Sequence, residues 1–154
     1  MPYDKSFFKK IKQIKQTVRA FEGKAVATGF FADKNTKDER GVSLVEKAVM
    51  NNYGIGCPAR PFATTTKDNF EKKHGSNISK ATILSIITGD KTYGERVMND
   101  EAKQFAAEFR EAIKEWDTPP NAPSTIADKG FNDPLVRTGE MRDAPEGRIV
   151  DKKK

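Results

Sequence analysis

Met98, Ala102, Phe105, Phe109, Ala112, Ile113 and Trp116 recur mostly at steps of three and four, and no proline interrupts them. That is the period of a long α-helix with one apolar face. Such a helix gains most of its stability from what it packs against. The rest of the chain must therefore supply a matching apolar surface, and the fold is built around this stripe. Thr92 and Glu95 just ahead of it read as a capping box.

A second helical period opens the chain. Phe7, Ile11, Ile14, Val18 and Phe21 step by four, three, four and three, while Lys9, Lys10, Lys12, Lys15 and Arg19 fall mostly off that stripe. This predicts a basic amphipathic helix over 4–22, with Gly23 as its stop. "AVATGFFAD" alternates and predicts a strand, with Val26, Thr28 and Phe30 to one side and Ala27, Gly29 and Phe31 to the other. Asp33 to Gly41 is charged, without an apolar anchor, and reads as a mobile loop. Ser43 and Glu46 form a capping box for a short helix. Leu44, Val45, Ala48, Val49 and Tyr53 give that helix one apolar side, and Gly54 ends it.

"GIGCPARPFA" follows, too rigid and too apolar for an ordinary surface loop. Pro61 suits the first turn of another helix, with Phe62 and Phe70 on similar sides. "KKHGSN" reads as the end of that helix and "ISKATILSIITG" as the next, closed by Gly89. After Trp116 the period disappears. Residues 117–134 read as one long extended loop, and "LVRTGEMRDA" with "GRIVDKKK" as a C-terminal hairpin over 135–151, the final "DKKK" frayed. The fold class expected is α+β: a small antiparallel sheet packed against several helices, with long N-terminal and central amphipathic helices. One domain, 1–154, is expected, with an α+β body over 25–116.

The chemistry available is narrow. The one cysteine, Cys57, excludes an internal disulfide and a Cys-only zinc site. The one histidine, His74, reads as a capping or solvated group at a helix end. Cys57 reads as a buried, inert thiol. Asp38 with Glu39, and Asp100 with Glu101, are neighbours in sequence and read as solvated charge. No phosphate-cradling glycine loop and no nucleophile–base set can be assembled. No catalytic residue, cofactor or metal is expected. There is no long apolar run for a membrane span and no signal-peptide core at the start. The net charge of +6 fits an anionic partner, nucleic acid first.

Two stretches together resemble the tail-component or head–tail joining proteins of tailed bacteriophages. The first is Asn51, Asn52, Tyr53 and Gly54 followed by Pro58, Ala59, Arg60, Pro61 and Phe62. The family's usual form is Asn-Glu-aromatic-Gly and then "PARPF"; here Asn52 stands where the Glu falls. The second is Pro123, Thr125, Ile126, Lys129, Gly130, Pro134, Leu135, Thr138, Gly139 and Met141, which match the family's C-terminal signature. The family often continues with Ser-Ile and a longer hairpin, and "DAPEGRIVDKKK" departs from that.

The resemblance covers about residues 25 to 150 and implies a virion structural protein, not an enzyme. It implies a homo-oligomeric ring, often hexameric, around the DNA channel at the neck or tail, made in the host bacterial cytoplasm. Its neighbours would be portal-side, connector or tail-tube and terminator proteins. Pro58, Arg60, Pro61, Phe62, Thr138, Gly139 and Met141 become the candidate assembly residues. Phe62 would bury its ring in a neighbour or in its own core, and Arg60 would pair with a carboxylate across the seam. Lys9, Lys12 and Lys15 become candidate DNA-channel contacts. Two other readings stand beside this one: a free nucleic-acid-binding protein using the basic N-terminal helix, and a small hydrolase using Cys57 or His74.

Overall fold

The computed structural model describes residues 5–152. The elements are α1 (Lys5–Phe21), β1 (Lys24–Gly29), a 3-10 turn (Ala32–Lys34), α2 (Leu44–Tyr53), α3 (Phe62–Thr88), α4 (Lys91–Glu115), α5 (Pro123–Lys129), α6 (Glu140–Asp143) and β2 (Glu146–Asp151). The fold is α+β, with long helices and one two-stranded antiparallel sheet.

α3 and α4 form an antiparallel hairpin. Phe62 meets Phe109 edge-on at 5.5 Å, and Phe70 stacks on Phe105 at 4.1 Å. α3 has 27 residues, so it is about 40 Å long. It does not stop at "KKHGSN". The glycine there costs about 1 kcal/mol in a helix interior, and bonds to α4 hold the helix through it. His74 Nδ1 lies 2.7 Å from a Glu101 oxygen and Nε2 lies 3.2 Å from a Glu108 oxygen. The His74 ring stacks on Phe70 at 4.5 Å. His74 is thus a mid-helix strut between two carboxylates, not a cap.

α4 carries the predicted stripe. Met98, Ala102, Phe105, Phe109 and Ile113 are buried, with Ala106 beside them, while Ala112 and Trp116 are half-buried. Its cap differs from the expectation. Gly89 ends α3 in the left-handed region, which leaves Asp90 to accept the Thr92 N–H at 2.9 Å. Glu95 pairs with Lys91 instead of closing a box with Thr92. The Ser43–Glu46 box forms as expected, with both bonds present.

β1 and β2 pair from Lys24↔Asp151 to Gly29↔Glu146 and lie on α4. β2 reaches that position without a C-terminal hairpin. Residues 140–143, expected as strand, form the short helix α6, and β2 crosses the whole chain to pair with β1. The loop over 117–134 contains α5, with Pro at its first turn and Gly130 as its cap. The Asp33–Gly41 segment is folded back on itself. Its Asp38 carboxylate accepts the Arg40 and Val42 N–H groups and pairs with Lys47. α1 is basic and helical as expected, with Phe21 packed where only the Gly94 backbone leaves room: an added Cβ there would lie 2.5 Å from the ring. The start of the predicted 4–22 helix, Asp4, and the last residues of "DKKK" lie outside the described residues.

One core joins α2, α3, α4 and α6. Leu44, Ala48, Phe62, Phe109, Ile113, Leu135 and Met141 form it, with Phe30 and Trp116 against its rim.

Candidate interface surfaces

The segment from Gly54 to Ala63 is a clasp within the chain. Phe62 is fully buried in the core just described, so its ring is not available to a neighbour. Arg60 is 4 % exposed and has no carboxylate partner among the described residues. Its Nε donates to the Pro119 carbonyl at 2.9 Å, one terminal nitrogen to the Pro120 carbonyl at 3.1 Å, and the other to Asn51 Oδ1 at 3.1 Å. The Arg60 N–H also bonds the Asn51 carbonyl at 2.7 Å. The planar fork of the guanidinium suits two adjacent carbonyls, and it ties the Pro-rich 117–122 loop to the end of α2. The expected seam pair is corrected accordingly: the partners are internal because the charge is satisfied before any neighbour could reach it.

Asn52 explains itself at the same place. It is buried, and its Oδ1 accepts the Ala63 and Thr64 N–H groups at 3.0 and 3.3 Å while its Nδ2 donates to Thr64 Oγ1. α3 has Pro61 at its N-cap, which offers no side-chain acceptor. Asn52 supplies the missing one from a different helix. Nothing in the local pattern around residue 62 announces this, although the buried i, i+4 row of Leu44, Ala48 and Asn52 is visible once α2 is drawn.

Pro58 and Pro61 are exposed, and Cys57 is half-buried with its Sγ 3.5 Å from the Met50 carbonyl. Thr138 is exposed, Gly139 is buried at the start of α6, and Met141 is in the core at 9 % exposure. These three line a cleft of about 640 Å³ with Lys37, Arg40, Lys47, Lys129 and Arg137. Burial pushes the Lys129 ammonium below its ordinary value; Asp133 works the other way, and Arg137 and Arg60 add like-charge repulsion. Among the described residues, no group of three or more His, Cys, Asp or Glu is placed to hold a metal ion.

Exposed apolar residues also gather on α2 and at the end of α3, and on α1 Phe7 and Val18 of the expected stripe are exposed, with Phe8 beside them. α2 has two apolar sides rather than the single one expected: Leu44 and Ala48 face the core, while Val45, Val49, Met50 and Tyr53 face solvent, joined by Ile55. Tyr53 is 69 % exposed. The second patch is Ile83, Leu84 and Ile87 on the last turns of α3, with Ile87 62 % exposed. Asn52 fixes the first patch beside the start of α3, so the two lie about 30 Å apart along that helix. Scattered exposed apolar residues are ordinary; clusters of branched and aromatic residues are candidates for a contact surface.

The charge is as uneven as the hydrophobicity. α1 carries Lys5, Lys9, Lys10, Lys12, Lys15 and Arg19 and no acid. Without it, the 28 cations of the chain fall to 22 and balance the 22 acids. Lys5, Lys9, Lys12 and Arg19 share one face by helical spacing, opposite Phe7, Ile14 and Val18. All six cations are exposed, and none makes an ion pair among the described residues. No helix among the described residues is long and apolar enough to cross a membrane. Comparison with family models, with curated proteins and with solved structures returned no match.

Proposed function

We propose that this chain is a structural virion protein of a tailed bacteriophage, a ring-forming component of the neck, the head–tail joint or the completed tail. The observation that carries the reading is the pair of unlike apolar patches at the two ends of α3. A ring is built by a heterologous contact, which needs two different surfaces per subunit, whereas a two-fold dimer needs only one that matches itself. The motif resemblance over "PARPF" and the Thr-Gly turn supports the phage assignment. The clasp around Arg60 holds the α2 patch in place; in this reading it presents the contact rather than making it. The role is assembly, without a catalytic centre or cofactor, and the neighbours are further copies and the portal-side, connector or tube-side proteins.

Mixing single-patch variants tests this. Tyr53→Glu and Ile87→Glu each remove one half of the contact, so each protein alone should sediment as a monomer while the wild type forms rings. Mixed together, they retain one intact pair of surfaces and should stop at a heterodimer. Wild-type protein that stays monomeric at all concentrations and is missing from purified virions would sink the reading.

A second reading rests on α1. A helix that holds the whole net charge of the chain, its cations exposed and without an ion pair among the described residues, suits the phosphate backbone of DNA, either in the channel of a ring or as a free binding protein. Lys9, Lys12 and Lys15 changed together to Glu should weaken duplex binding at low salt and flatten its log–log salt dependence by about 2 to 3. Identical gel mobility for duplex with variant and wild type would end it.

A further inference from the structure

Among the described residues, no strand pairs with the outer edge of β1. The bond from the Lys152 N–H to the Gly23 carbonyl sets the phase of the ladder. Residues 25, 27 and 29 then exchange bonds with β2, and the N–H and C=O groups of Lys24, Val26 and Thr28 point away from it. Among the described residues, no other backbone or side-chain group bonds these outward donors and acceptors. They face a trough of about 750 Å³ that separates β1 from α3, with Phe70, Met98 and Phe105 in its floor.

Sheet edges are normally blunted by proline, bulges or charge, or covered. β1 reads "KAVATG", with charge only at its first residue. The facing wall contains Gly75, inside α3 and with no positive φ. A Cβ there would find only the Glu71 side chain, at 4.0 Å. Neither backbone conformation nor packing within the chain calls for glycine at that point; close approach by another backbone does.

We propose that this trough is a strand-addition site for an extended segment of a partner protein, with small apolar side chains in alternation. β1 has six residues, which at ~3.3 Å each offers about 20 Å of edge. The new strand would pair with Lys24, Val26 and Thr28, as edge-pairing peptides do. Of the rim lysines, Lys24 pairs with Asp151 and Lys67 with Asp68 and Glu71, so the open backbone groups of the edge, not charge, select the occupant. The α3 wall limits the occupant to the width of one strand. This inference does not rest on ring formation.

The test uses the whole chain and a labelled hexapeptide of alternating valine and serine, plus a twin with prolines in place of the serines, which lacks the donors the edge needs. In the free protein, amide exchange should be fast at Val26 and Thr28 and slow at Ala25 and Ala27. The valine–serine peptide should slow exchange at Val26 and Thr28, and the proline twin should bind at least about tenfold more weakly. Gly75→Trp fills the trough from the helix side and should abolish binding while the circular dichroism spectrum stays unchanged. Ser79→Trp, at an exposed position on the same wall, provides an independent block should Gly75→Trp fail to fold. Unchanged exchange at Val26 and Thr28 under saturating peptide overturns the proposal, as does full binding by the blocked variants. Protection that appears with rising protein concentration alone overturns the partner assignment in favour of a second copy.

Discussion

Arg60→Ala should lower the stability of the isolated chain by about 3 kcal/mol, seen as a thermal midpoint lower by about 6 to 12 °C. The guanidinium is buried, with carbonyl oxygens and an amide oxygen as its hydrogen-bond acceptors. Truncation strands the Pro119 and Pro120 carbonyls and Asn51 Oδ1 without their donor. Hydrogen bonds to a charged group contribute more than neutral ones, and the groups left behind carry a further desolvation penalty. Arg60→Lys should recover only part of the loss, because an ammonium cannot span two adjacent carbonyls with one plane. A seam residue would behave differently: its loss would spare the melting of a monomer and disrupt only assembly. An unchanged melting curve for Arg60→Ala would therefore refute the clasp.

Gly147→Ala should cost about 3 kcal/mol or more, enough to detach the sheet from α4. A Cβ on Gly147 would sit 1.7 Å from the Ala102 carbonyl oxygen and 2.3 Å from its carbon. Those atoms are helix backbone and cannot swing aside as a side-chain tip would. The same substitution at Gly75 should have the opposite sign, a gain of about 1 kcal/mol, since the new methyl group meets open space and the helix gains propensity. Urea unfolding of the two variants side by side checks both signs. Equal midpoints for Gly147→Ala and wild type would contradict the close approach of β2 to α4.

Much of the fold was legible because it is written in local chemistry. The stripe from Met98 to Ile113, the α1 period, the β1 alternation and the Ser43–Glu46 box each depend on residues a few positions apart. The misreadings share a cause. "KKHGSN" carries stop signals, yet His74 and Asn77 bond to Glu101 and Glu108 some 24 to 34 positions away. Residues 140–143 have strand-like neighbours, yet they turn as a helix where Met141 drops into the core. α2 looked like one apolar side because pattern alone does not say which half of a wide stripe finds a partner.

For the candidate site, the residues singled out were informative, but not for the reason given. Arg60 and Phe62 do matter, as the inside of a clasp, and exposed apolar residues lie away from them at Val45, Val49 and Tyr53 and at Ile83 and Ile87. The charge on α1 needed no structure to notice; its orientation did.

By itself, the sequence determined the helices with a continuous period, the strand β1, the one working capping box and the placing of all excess charge in the first helix. Those follow from spacing along the chain and from composition, which folding does not change. The tertiary structure decided that Phe62 faces inward, that Arg60 is satisfied by two proline carbonyls, that β2 pairs with β1 across the length of the chain, and that the outer edge of β1 has no strand beside it. Each is a meeting of residues far apart in sequence, set by which surfaces close together first satisfy their buried groups, and no local pattern encodes that choice.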